Sequence, residues 1–578
     1  MENQTPVPSF QIVSPSENVE IYLPDGRVLS GPRNAKVGEF FRILPEKDDP
    51  PIVGAIVNGE LRELTYPIKI DSHVRPVTMS QADGMRIYRR SLIFLLEASF
   101  DKCYPEAILK VNHSVSSGGY YCEVSGRPHL TEDEIKSLEA HMWELVEADQ
   151  KFTRSQVPLP EAIAYFDKQG EDDKVRLLSH RRKNYLTLYQ LNEHHDYHHG
   201  YMVPSTGFLR WFRLTLTGDG FTLRFPRRHA PTQLLAPPEY PKLLNTFRRY
   251  GNWLELLDIS SVGALNDAIR DERIQEVILV SEALHELRIS EIANHIAEQS
   301  GLVRVVTVAG PSSSGKTTLS KRLTVQLLAH GISPFPLAMD NYFVNREHTP
   351  IDEDGKLDFE SIDALNRERL ASDLNHLIEG EKVQLPRFNF ISGQSEEGDI
   401  IQLKPDQIII IEGIHGLNPA LLTNLPEQRT VRIYISALTQ LNLDRHNRIS
   451  TTDTRLLRRI VRDARERGYS AVETIQRWES VRRGEKRYIF PYQENADLMF
   501  NSALVYEVSA LKPLAEPLLR QVPHGTPEFV EAKRLLAFLE WFLPLPAESD
   551  LIPDNSLLRE FIGGSTLRDF SLWHQNNP

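Results

Sequence analysis

The chain has 578 residues, of which 40% are hydrophobic and 25% are charged, and its formal net charge is −13. This length predicts several domains with sizeable cores, and the acidic balance argues against a protein whose whole surface tracks nucleic acid. Cys103 and Cys122 are the two cysteines, no apolar stretch is long enough to span a bilayer, and residues 1–14 lack a secretory leader pattern. We therefore expect a reducing, cytoplasmic setting and no membrane association.

The first part of the chain carries two hairpin signals. Residues 19–23 alternate like a strand and reach the turn Pro24-Asp25-Gly26, and Asn58-Gly59 marks a second tight turn. These patterns predict a small β-rich domain over residues 1–80.

Helical periodicity follows. Helices are predicted at residues 85–102, 131–149 and 159–169. They indicate an α+β domain over residues 81–231. A proline-rich stretch at 230–241 and a helical pattern at 262–299 then predict a connector and helical segment over residues 232–300.

The most informative motif begins at residue 310 and reads GPSSSGKTT. It lies between the apolar run 303–309 and the helical pattern 319–328, in the strand, loop and helix order of a phosphate-binding loop. Lys316 is predicted to reach the β and γ phosphates, and the Thr317 hydroxyl to ligate Mg²⁺. The residues predicted to hold the nucleotide are Gly310, Ser312, Ser313, Ser314, Gly315, Lys316, Thr317 and Thr318.

Two acidic residues follow strand-like segments of the same region. Asp340 comes after residues 335–339, and Glu412 comes after the run Ile408-Ile409-Ile410-Ile411. Because the carboxyl ends of parallel strands meet at one edge of a sheet, both carboxylates are predicted beside the phosphate loop. We expect Asp340 to be a general base and Glu412 to bind Mg²⁺ directly or through water; a helix cap or a solvated loop residue is the alternative.

Arginines recur at helical spacing after Asp453. They are Arg455, Arg458, Arg459, Arg462, Arg465 and Arg467. Such a run standing alone indicates a solvated helix face. Downstream of a phosphate loop it also suits the charge that develops during phosphoryl transfer, so we predict a lid that neutralises this charge and excludes water.

These motifs occur in the order of the uridine kinase and phosphoribulokinase family, which the chain resembles over about residues 303–509. They are the phosphate loop, LAMDNY at 337–342, LPRFNF at 385–390, IEGI at 411–414 and RRIVRD at 458–463. The resemblance implies a P-loop kinase domain with a parallel sheet over residues 301–510, ATP and Mg²⁺ as cofactors, and Asp340 as the base for a substrate hydroxyl. It also implies that Arg455, Arg458 and Arg462 act at the phosphates or in the lid.

The expected acceptor pocket departs from uridine kinase. Where that family has Tyr-Asp-Phe and then a His, this chain has Phe388-Asn389-Phe390 and Gly393, and Glu360-Ser361-Ile362 replaces an Asp-His-Pro segment. A site built to hydrogen-bond its substrate discriminates steeply between analogues, so these changes leave the acceptor open. The residues expected to contact the acceptor are Asp340, Tyr342, Glu360, Phe388, Phe390 and Arg455.

The N-terminal part carries a second resemblance. Residues 19–79 resemble the β-grasp-like TGS domain of threonyl-tRNA synthetases, certain GTPases and stringent-response enzymes, and residues 85–228 resemble the editing-type second domain of threonyl-tRNA synthetase. The second likeness rests on Tyr104-Pro105, Gly119-Tyr120-Tyr121 and GYMVPSTG at 200–207. At four polar positions of the editing domain this chain has Arg90, Phe94, His198 and Met202. Three of those polar groups are gone, so we expect a binding or regulatory domain without editing chemistry.

Four histidines, His194, His195, His198 and His199, have spacings that would suit zinc on a helix. No partner cysteine or carboxylate cluster is identifiable, which favours exposed or structurally bonded histidines. The short basic runs at 89–90, 181–183 and 227–228 are read as solvated, with contact to RNA phosphates as the alternative.

The predicted architecture is thus multidomain α/β and α+β, ending in a C-terminal helical appendage over residues 511–578. The leading functional hypothesis is ATP-dependent phosphoryl transfer to a hydroxyl of a uridine- or cytidine-like nucleoside or a related sugar. The alternative is an ATP-switched RNA-binding or translation-associated regulator that uses the synthetase-like half. A GTPase is disfavoured because the chain has no Asn-Lys-x-Asp or Thr-Lys-x-Asp sequence. Relatives of uridine kinase often assemble, so a homo-oligomer is left open.

Overall fold

The computed structural model describes residues 14, 16–44, 50–115, 118–236, 240–353, 355–422, 425–545 and 551–570. Among these residues, no helix is both long and apolar enough to cross a bilayer.

The N-terminal unit is a five-stranded sheet in the order β2-β1-β5-β3-β4. Its elements are β1 Asn18–Tyr22, β2 Val28–Pro32, α1 Val37–Phe41, β3 Ile52–Val57, β4 Glu60–Arg62 and β5 Ser72–Thr78. Both predicted hairpins are present, as the antiparallel pairs β1–β2 and β3–β4. At the second turn Asn58 and Gly59 have φ values of 48° and 82°, which is the left-handed backbone that a two-residue hairpin turn requires.

The next unit combines two antiparallel sheets with helices. Its elements are α2 Ala82–Cys103, β6 Ile108–Val115, β7 Gly119–Ser125, α3 Glu132–Glu147, β8 Thr153–Pro158, α4 Leu159–Lys168, α5 Asp172–Ser179, β9 Tyr185–Leu191, β10 His194–Asp196, β11 Arg213–Thr217 and β12 Gly220–Arg224. The sheets run in the orders β10-β9-β8 and β11-β12-β7-β6. Helix α3 begins where Thr131 and Glu134 form a reciprocal capping box, which satisfies backbone donors at its first turn.

Three helices connect this unit to the C-terminal half: α6 Pro241–Leu256, α7 Val262–Arg270 and α8 Ile274–Glu298. The predicted proline-rich connector lies partly outside the described residues, at 237–239. Helix α6 follows the connector directly, in a stretch where the sequence patterns predicted no separate helix.

The C-terminal half is built on a parallel sheet in the order β14-β17-β13-β18-β19. Its elements are β13 Val305–Ala309, α9 Lys316–Ala329, β14 Pro334–Ala338, α10 Arg367–Ile378, β15 Lys382–Asn389, β16 Gln394–Gln402, β17 Ile408–Glu412, β18 Thr430–Ser436, α11 Thr451–Arg467, α12 Ala471–Tyr488, β19 Leu498–Asn501 and α13 Glu507–Arg520. Helices α14 Pro527–Leu539 and α15 Arg559–Ile562 follow. Strand β13 is fully buried and central, so its carboxyl end is flanked on both sides by other strands.

The two halves share one hydrophobic core. Phe166 and Leu177 of the N-terminal half belong to the same buried cluster as Val306 of β13 and Leu323 of α9. Helices α7 and α8 contribute Leu265 and other side chains to that cluster. The connecting helices therefore act as a packed layer between the two halves.

Candidate functional site

The phosphate loop joins the central strand β13 to helix α9. Ser313 and Gly315 both have positive φ, at 58° and 90°, and Gly315 immediately precedes the first helical residue, Lys316. This backbone turns successive N–H groups toward the start of a helix, where the helix dipole also favours an anion. The local geometry is therefore that of a phosphate site.

Lys316 lies folded against its own loop. Its Nζ donates to the carbonyl oxygens of Gly310 and Pro311 at 3.1 and 3.2 Å. Burial lowers the pKa of Lys316, while the charges of Glu412 and Asp340 act in the opposite direction. The ammonium group therefore sits among the acids predicted to share its site.

Glu412 and Thr317 meet where β17 ends. The Thr317 hydroxyl donates to Glu412 Oε1 at 2.8 Å. Burial raises the pKa of Glu412 to about 7, against the opposing effects of Lys316 and Thr317. A half-buried carboxylate beside an exposed hydroxyl offers the oxygen donors that a hard divalent cation prefers, so the two residues fit Mg²⁺.

Asp340 follows β14 in a short 3₁₀ turn at the same edge of the sheet. The residue is exposed to solvent, yet desolvation by the surrounding protein raises its pKa, and the positive charges of Lys316 and Arg467 oppose that shift. A carboxylate of raised pKa accepts a proton more readily, which is the property required of a general base.

Arg455 and Arg458 differ in placement from the lid predicted from the sequence. Both side chains are buried, and they form ion pairs with Glu485 and Glu507 at 2.5 Å. They also donate to the carbonyl oxygens of Ser312 and Ser313, at 3.1 and 3.3 Å. Each faces a carboxylate from a later helix, and this pairing fixes the two arginines under the loop instead of leaving them on a solvated face.

Other arginines of α11 remain nearer to the open side. Arg459 Nη1 donates to the Ser312 hydroxyl at 2.8 Å. Arg462 contacts Asp463 and lies 4.0 Å from Glu560. The side chain of Arg459 therefore contacts the loop directly. The family resemblance assigned roles to Arg455, Arg458 and Arg462 but not to Arg459.

The residues predicted to contact the acceptor include an aromatic pair, a carboxylate of raised pKa and a tyrosine whose hydroxyl already has a partner. Phe388 and Phe390 lie in an aromatic cluster with Phe343, in which the rings of Phe388 and Phe390 are 5.1 Å apart. Burial raises the pKa of Glu360 to about 7, with the negative charge of Glu485 adding to the effect. Tyr342 is buried in a core cluster and donates its hydroxyl to Asp373 at 3.0 Å, so that hydroxyl is already engaged.

Arg346 occupies the space beside Gly393 that a side chain would need. A Cβ on Gly393 would come within 2.7 Å of Arg346 Nε. Arg346 also donates from Nη2 to the Phe390 carbonyl oxygen at 2.8 Å. A guanidinium from 47 positions earlier therefore lies beside Gly393, and no local sequence pattern indicated that approach.

The C-terminal segment reaches the start of helix α9. Glu560 Oε2 accepts hydrogen bonds from the Thr318 backbone N–H and hydroxyl, at 3.3 and 2.8 Å. Leu557 packs against Gly315, and Lys321 donates to the carbonyl oxygens of Leu567 and Arg568. Sequence reasoning assigned this segment no chemical role, because its contact with the phosphate loop is a long-range one.

The synthetase-like part holds the four substituted positions in a buried setting. Phe94 packs edge-on against His198, with ring centroids 5.6 Å apart, and Met202 is buried in the same core. Arg90 donates to the Tyr201 carbonyl oxygen at 2.6 Å. Phe94 and Met202 therefore place apolar groups at two of the four positions, whereas Arg90 and His198 keep polar groups there that are already bonded to Tyr201 and Glu97.

The histidines lie beside carboxylates that sequence reasoning did not identify. Glu97, His194 and Asp196 place candidate ligand atoms within 4.8 Å of one another, and His198 lies 3.1 Å from Glu97. The Lys174 ammonium pairs with Asp196 at 2.5 Å. This buried cation already balances one carboxylate of the cluster, while His195 and His199 contribute no ligand atom to it.

A parallel sheet whose central strand leads into a phosphate loop, with acids at the ends of the neighbouring strands, is typical of the class of P-loop kinases. Residues 305–509, less than half of the chain, match the model of the Phosphoribulokinase / Uridine kinase family.

The N-terminal half is similar to threonine–tRNA ligases. That of Halorhodospira halophila (strain DSM 244 / SL1) is 32% identical over 202 residues, which cover 35% of this chain and 31% of the ligase. That of Legionella pneumophila (strain Corby) is 33% identical over 166 residues, covering 28% and 26%. The chain thus spans less than a third of the length of these relatives. Both resemblances predicted from the sequence are confirmed.

Two solved structures resemble the kinase region. They are a putative fructose transport system kinase from Silicibacter sp. TM1040 (TM-score 0.28, 19% identity, 37% of this chain and 98% of that chain) and a possible uridine kinase from Bacillus stearothermophilus (TM-score 0.26, 17% identity, 37% and 97%).

Proposed function

We propose that the chain transfers the γ-phosphoryl group of ATP to a hydroxyl of a nucleoside or a related ribose-containing or sugar substrate. The observation that carries this proposal is the convergence of Lys316, Asp340 and the Thr317–Glu412 pair at one edge of the sheet. Phosphoryl transfer needs little more than positioning, charge neutralisation and a base, and these residues supply each of the three.

In this proposal the phosphate loop binds the phosphates of ATP. Its backbone N–H groups and Lys316 hold the phosphates, and Lys316 exchanges its present carbonyl partners for phosphate oxygens. Thr317 and Glu412 hold Mg²⁺, which when bound neutralises charge on the phosphate oxygens.

In this proposal Asp340 accepts the proton of the substrate hydroxyl. As the substrate oxygen forms its bond to the γ-phosphorus, its O–H bond breaks and the proton passes to Asp340, while the bond from phosphorus to the bridging oxygen of ADP breaks. Arg459 and Arg462 are assigned to the transferred group, and Arg455 and Arg458 to holding the loop carbonyls.

The acceptor contacts are assigned to Glu360 and to the cluster of Phe343, Phe388 and Phe390. A carboxylate pairs with sugar hydroxyls, and an aromatic cluster offers a surface to a flat ring. Arg346, in place of the histidine of uridine kinases, presents a donor-only group at this position. We therefore expect the substrate that receives the phosphoryl group to present hydrogen-bond-accepting atoms to Arg346.

An ATP-consumption screen against nucleosides, ribose derivatives and sugars tests the proposal, with Asp340→Asn as the key variant. We expect substrate-dependent turnover that Asp340→Asn reduces by about 10²- to 10⁴-fold, because one proton acceptor is lost. ATP binding by the variant stays within about twofold of wild type, since the loop is unaltered. Asp363→Asn is the matched control, because Asp363 is exposed and pairs with Arg367. Wild-type protein that binds ATP but phosphorylates no acceptor in the panel would contradict the proposal.

A second candidate function rests on the similarity to threonine–tRNA ligases. In this alternative the N-terminal half binds RNA and the kinase domain acts as an ATP-dependent switch. Salt-sensitive binding of tRNA, with ATP hydrolysis that tRNA stimulates and small acceptors do not, would favour it.

A further inference from the structure

A cavity of about 680 Å³ lies between the synthetase-like part and the kinase domain. Its walls come from α2 and the β6–β7 hairpin on one side and from α11 and α12 on the other. Among the described residues that line it, none belongs to the phosphate loop, and Asp340, Glu360 and Glu412 are also outside it. The cavity is therefore distinct from the site assigned to phosphoryl transfer, although Arg455 borders both.

The cavity is strongly cationic in a chain whose net charge is −13. Ten arginine and lysine side chains line it, against two carboxylates, Asp453 and Glu479. A low-dielectric cleft lined by one sign of charge concentrates ligands of the opposite sign. The charge imbalance therefore indicates an anionic ligand.

Half of these cations lack a carboxylate partner. Arg86, Arg228, Arg455, Arg482 and Arg534 form ion pairs. Within the part of the chain that the structure describes, no carboxylate lies within ion-pair distance of the others, which are Arg89, Arg90, Arg227, Arg448 and Lys486. Buried Nε atoms of Arg89 and Arg448 also lack a hydrogen-bond acceptor. A buried charged donor without an acceptor is unfavourable until a ligand supplies one.

Aromatic rings hold two of the unpaired guanidinium groups in place. Arg89 lies 4.6 Å from the centre of the Phe225 ring, and Arg448 lies 5.1 Å from that of Tyr120. Stacking of this kind fixes the plane of the guanidinium. Arg448 also donates from Nη1 to the Ile449 carbonyl oxygen and from Nη2 to the Ser114 hydroxyl, at 2.6 and 2.9 Å, so its buried Nε is the donor left for a ligand.

The titration behaviour agrees with the geometry. Burial, followed by the charges of Arg482 and Arg228, lowers the pKa of Lys486 to about 8. Burial also lowers the pKa of Arg90 to about 10, and the charge of Arg86 adds to the effect. Positive charge is thus held here at a cost that a bound anion would offset.

We propose that this cavity binds a small anion carrying two or more phosphate groups, at a site separate from the phosphate loop. Arginine matches phosphate oxygens with paired N–H donors, and the unpaired cations approach from both halves of the protein, so a single carboxylate would leave most of them unmatched. The volume lies in the usual range for small-molecule sites.

The site is also connected to the phosphate loop. Arg482 lines the cavity and pairs with Glu485, and Glu485 Oε1 accepts the Ser312 backbone N–H at 3.1 Å. Arg482 binds Glu485 Oε2 while the loop N–H binds Oε1, so an anion that draws Arg482 away changes the charge balance of the carboxylate that holds the loop. Occupancy of the cavity therefore alters nucleotide affinity at the loop, and nucleotide binding alters affinity in the cavity by the same factor.

Calorimetric titration of the full chain carrying Lys316→Ala tests the proposal, because this change weakens phosphate binding at the loop. Inorganic tripolyphosphate, ATP and AMP are the probes. We expect one equivalent of tripolyphosphate to bind in the Lys316→Ala background, and Arg89→Gln or Lys486→Gln to weaken that binding by about tenfold or more. Binding of both tripolyphosphate and ATP would show that the phosphate chain suffices; binding of ATP alone would show that the nucleoside is also recognised.

Two further variants separate ligand binding from folding. Arg89→Lys keeps the charge and is expected to retain more affinity than Arg89→Gln, whereas Arg270→Gln, an exposed position on α7, is expected to change nothing. Thermal unfolding of each variant checks that the fold is kept. The proposal is overturned if neither tripolyphosphate nor ATP binds in the Lys316→Ala background, if the cavity variants leave binding unchanged, or if tRNA binds and both small probes do not. The readout is binding, so failure of the kinase proposal leaves this test intact.

Discussion

Glu485 is the buried carboxylate to which the phosphate loop is attached. It accepts hydrogen bonds from the Ser312 backbone N–H, from Arg455 and from Arg482. Burial alone would raise the pKa of Glu485, but Arg455 and Arg482 outweigh burial and lower the pKa to about 2. A single residue of α12 thus pairs with two arginines and fixes one loop donor.

We expect Glu485→Gln to destabilise the chain by about 3 kcal/mol at neutral pH, because two buried guanidinium groups lose their counter-charge. A depressed folded pKa contributes stability above the unfolded value, near 4.5, and loses it as the pH falls toward 2. The difference between wild type and variant should therefore be constant above about pH 4.5 and narrow below it. Urea unfolding from pH 3 upward, at about half-unit steps, measures this difference.

The matched control for that series is Glu479→Gln on the same helix. Glu479 pairs with Arg228 at the surface, with about half of its side chain exposed. Surface pairs contribute about 0–1 kcal/mol, so this control should change stability little at any pH. A Glu485→Gln protein as stable as the control would show that the buried network contributes nothing.

At the scale of elements, the C-terminal segment and helix α9 form one unit. Glu560 places a carboxylate on the Thr318 N–H at the first turn of α9, which is also where the loop is expected to receive a phosphate. Leu557 adds an apolar contact to Gly315. A carboxylate and a phosphate cannot share that donor, so we expect the segment to compete with a nucleotide for the helix start.

Replacing the competing charge should strengthen nucleotide binding. We expect Glu560→Gln to raise the affinity for ATP by about three- to tenfold, the effect of removing one charge-assisted hydrogen bond from the free state. Equilibrium titration with ATP measures this affinity. Asp569→Asn serves as the control, because Asp569 is an exposed carboxylate of the same segment. Equal or weaker ATP binding by Glu560→Gln would mean that the segment does not compete.

At the scale of the whole molecule, a loop of the kinase domain, residues 444–446, forms hydrogen bonds with the N-terminal half. Arg445 donates to Asp173 through its backbone N–H and its side chain, at 2.7 and 2.5 Å. Tyr197 donates its hydroxyl to Asp444, and His446 lies 2.8 Å from Asp196. These polar groups are buried or half-buried, so separating the halves would leave them without partners.

This interface predicts that the two halves unfold together. We expect Asp173→Asn to lower the free energy of unfolding by about 2 kcal/mol, with the double variant Asp173→Asn/Arg445→Gln costing less than the sum of the single variants. Calorimetry of the full chain should show both halves melting in one transition. Asp172→Asn, an exposed neighbour, is the control. Two separate transitions, with no effect of Asp173→Asn on the second, would contradict the prediction.

The sequence by itself determined the local elements of the kinase site. The phosphate loop, Asp340 and Glu412 were predictable because each depends on a strand, a turn and the alignment of strand ends, all of which short-range patterns encode. The hairpin at Asn58-Gly59 was predictable for the same reason, since its turn conformation depends on two adjacent residues.

Only the tertiary structure decided which charged groups meet. The pairing of Arg455 with Glu485, the contact of Glu560 with Thr318 and the approach of Arg346 to Gly393 join residues that lie 30, 242 and 47 positions apart. The cationic cavity likewise combines side chains from both halves. Helical spacing shows which residues share a face, but the partner of that face, and therefore its burial and charge, depends on how distant elements pack.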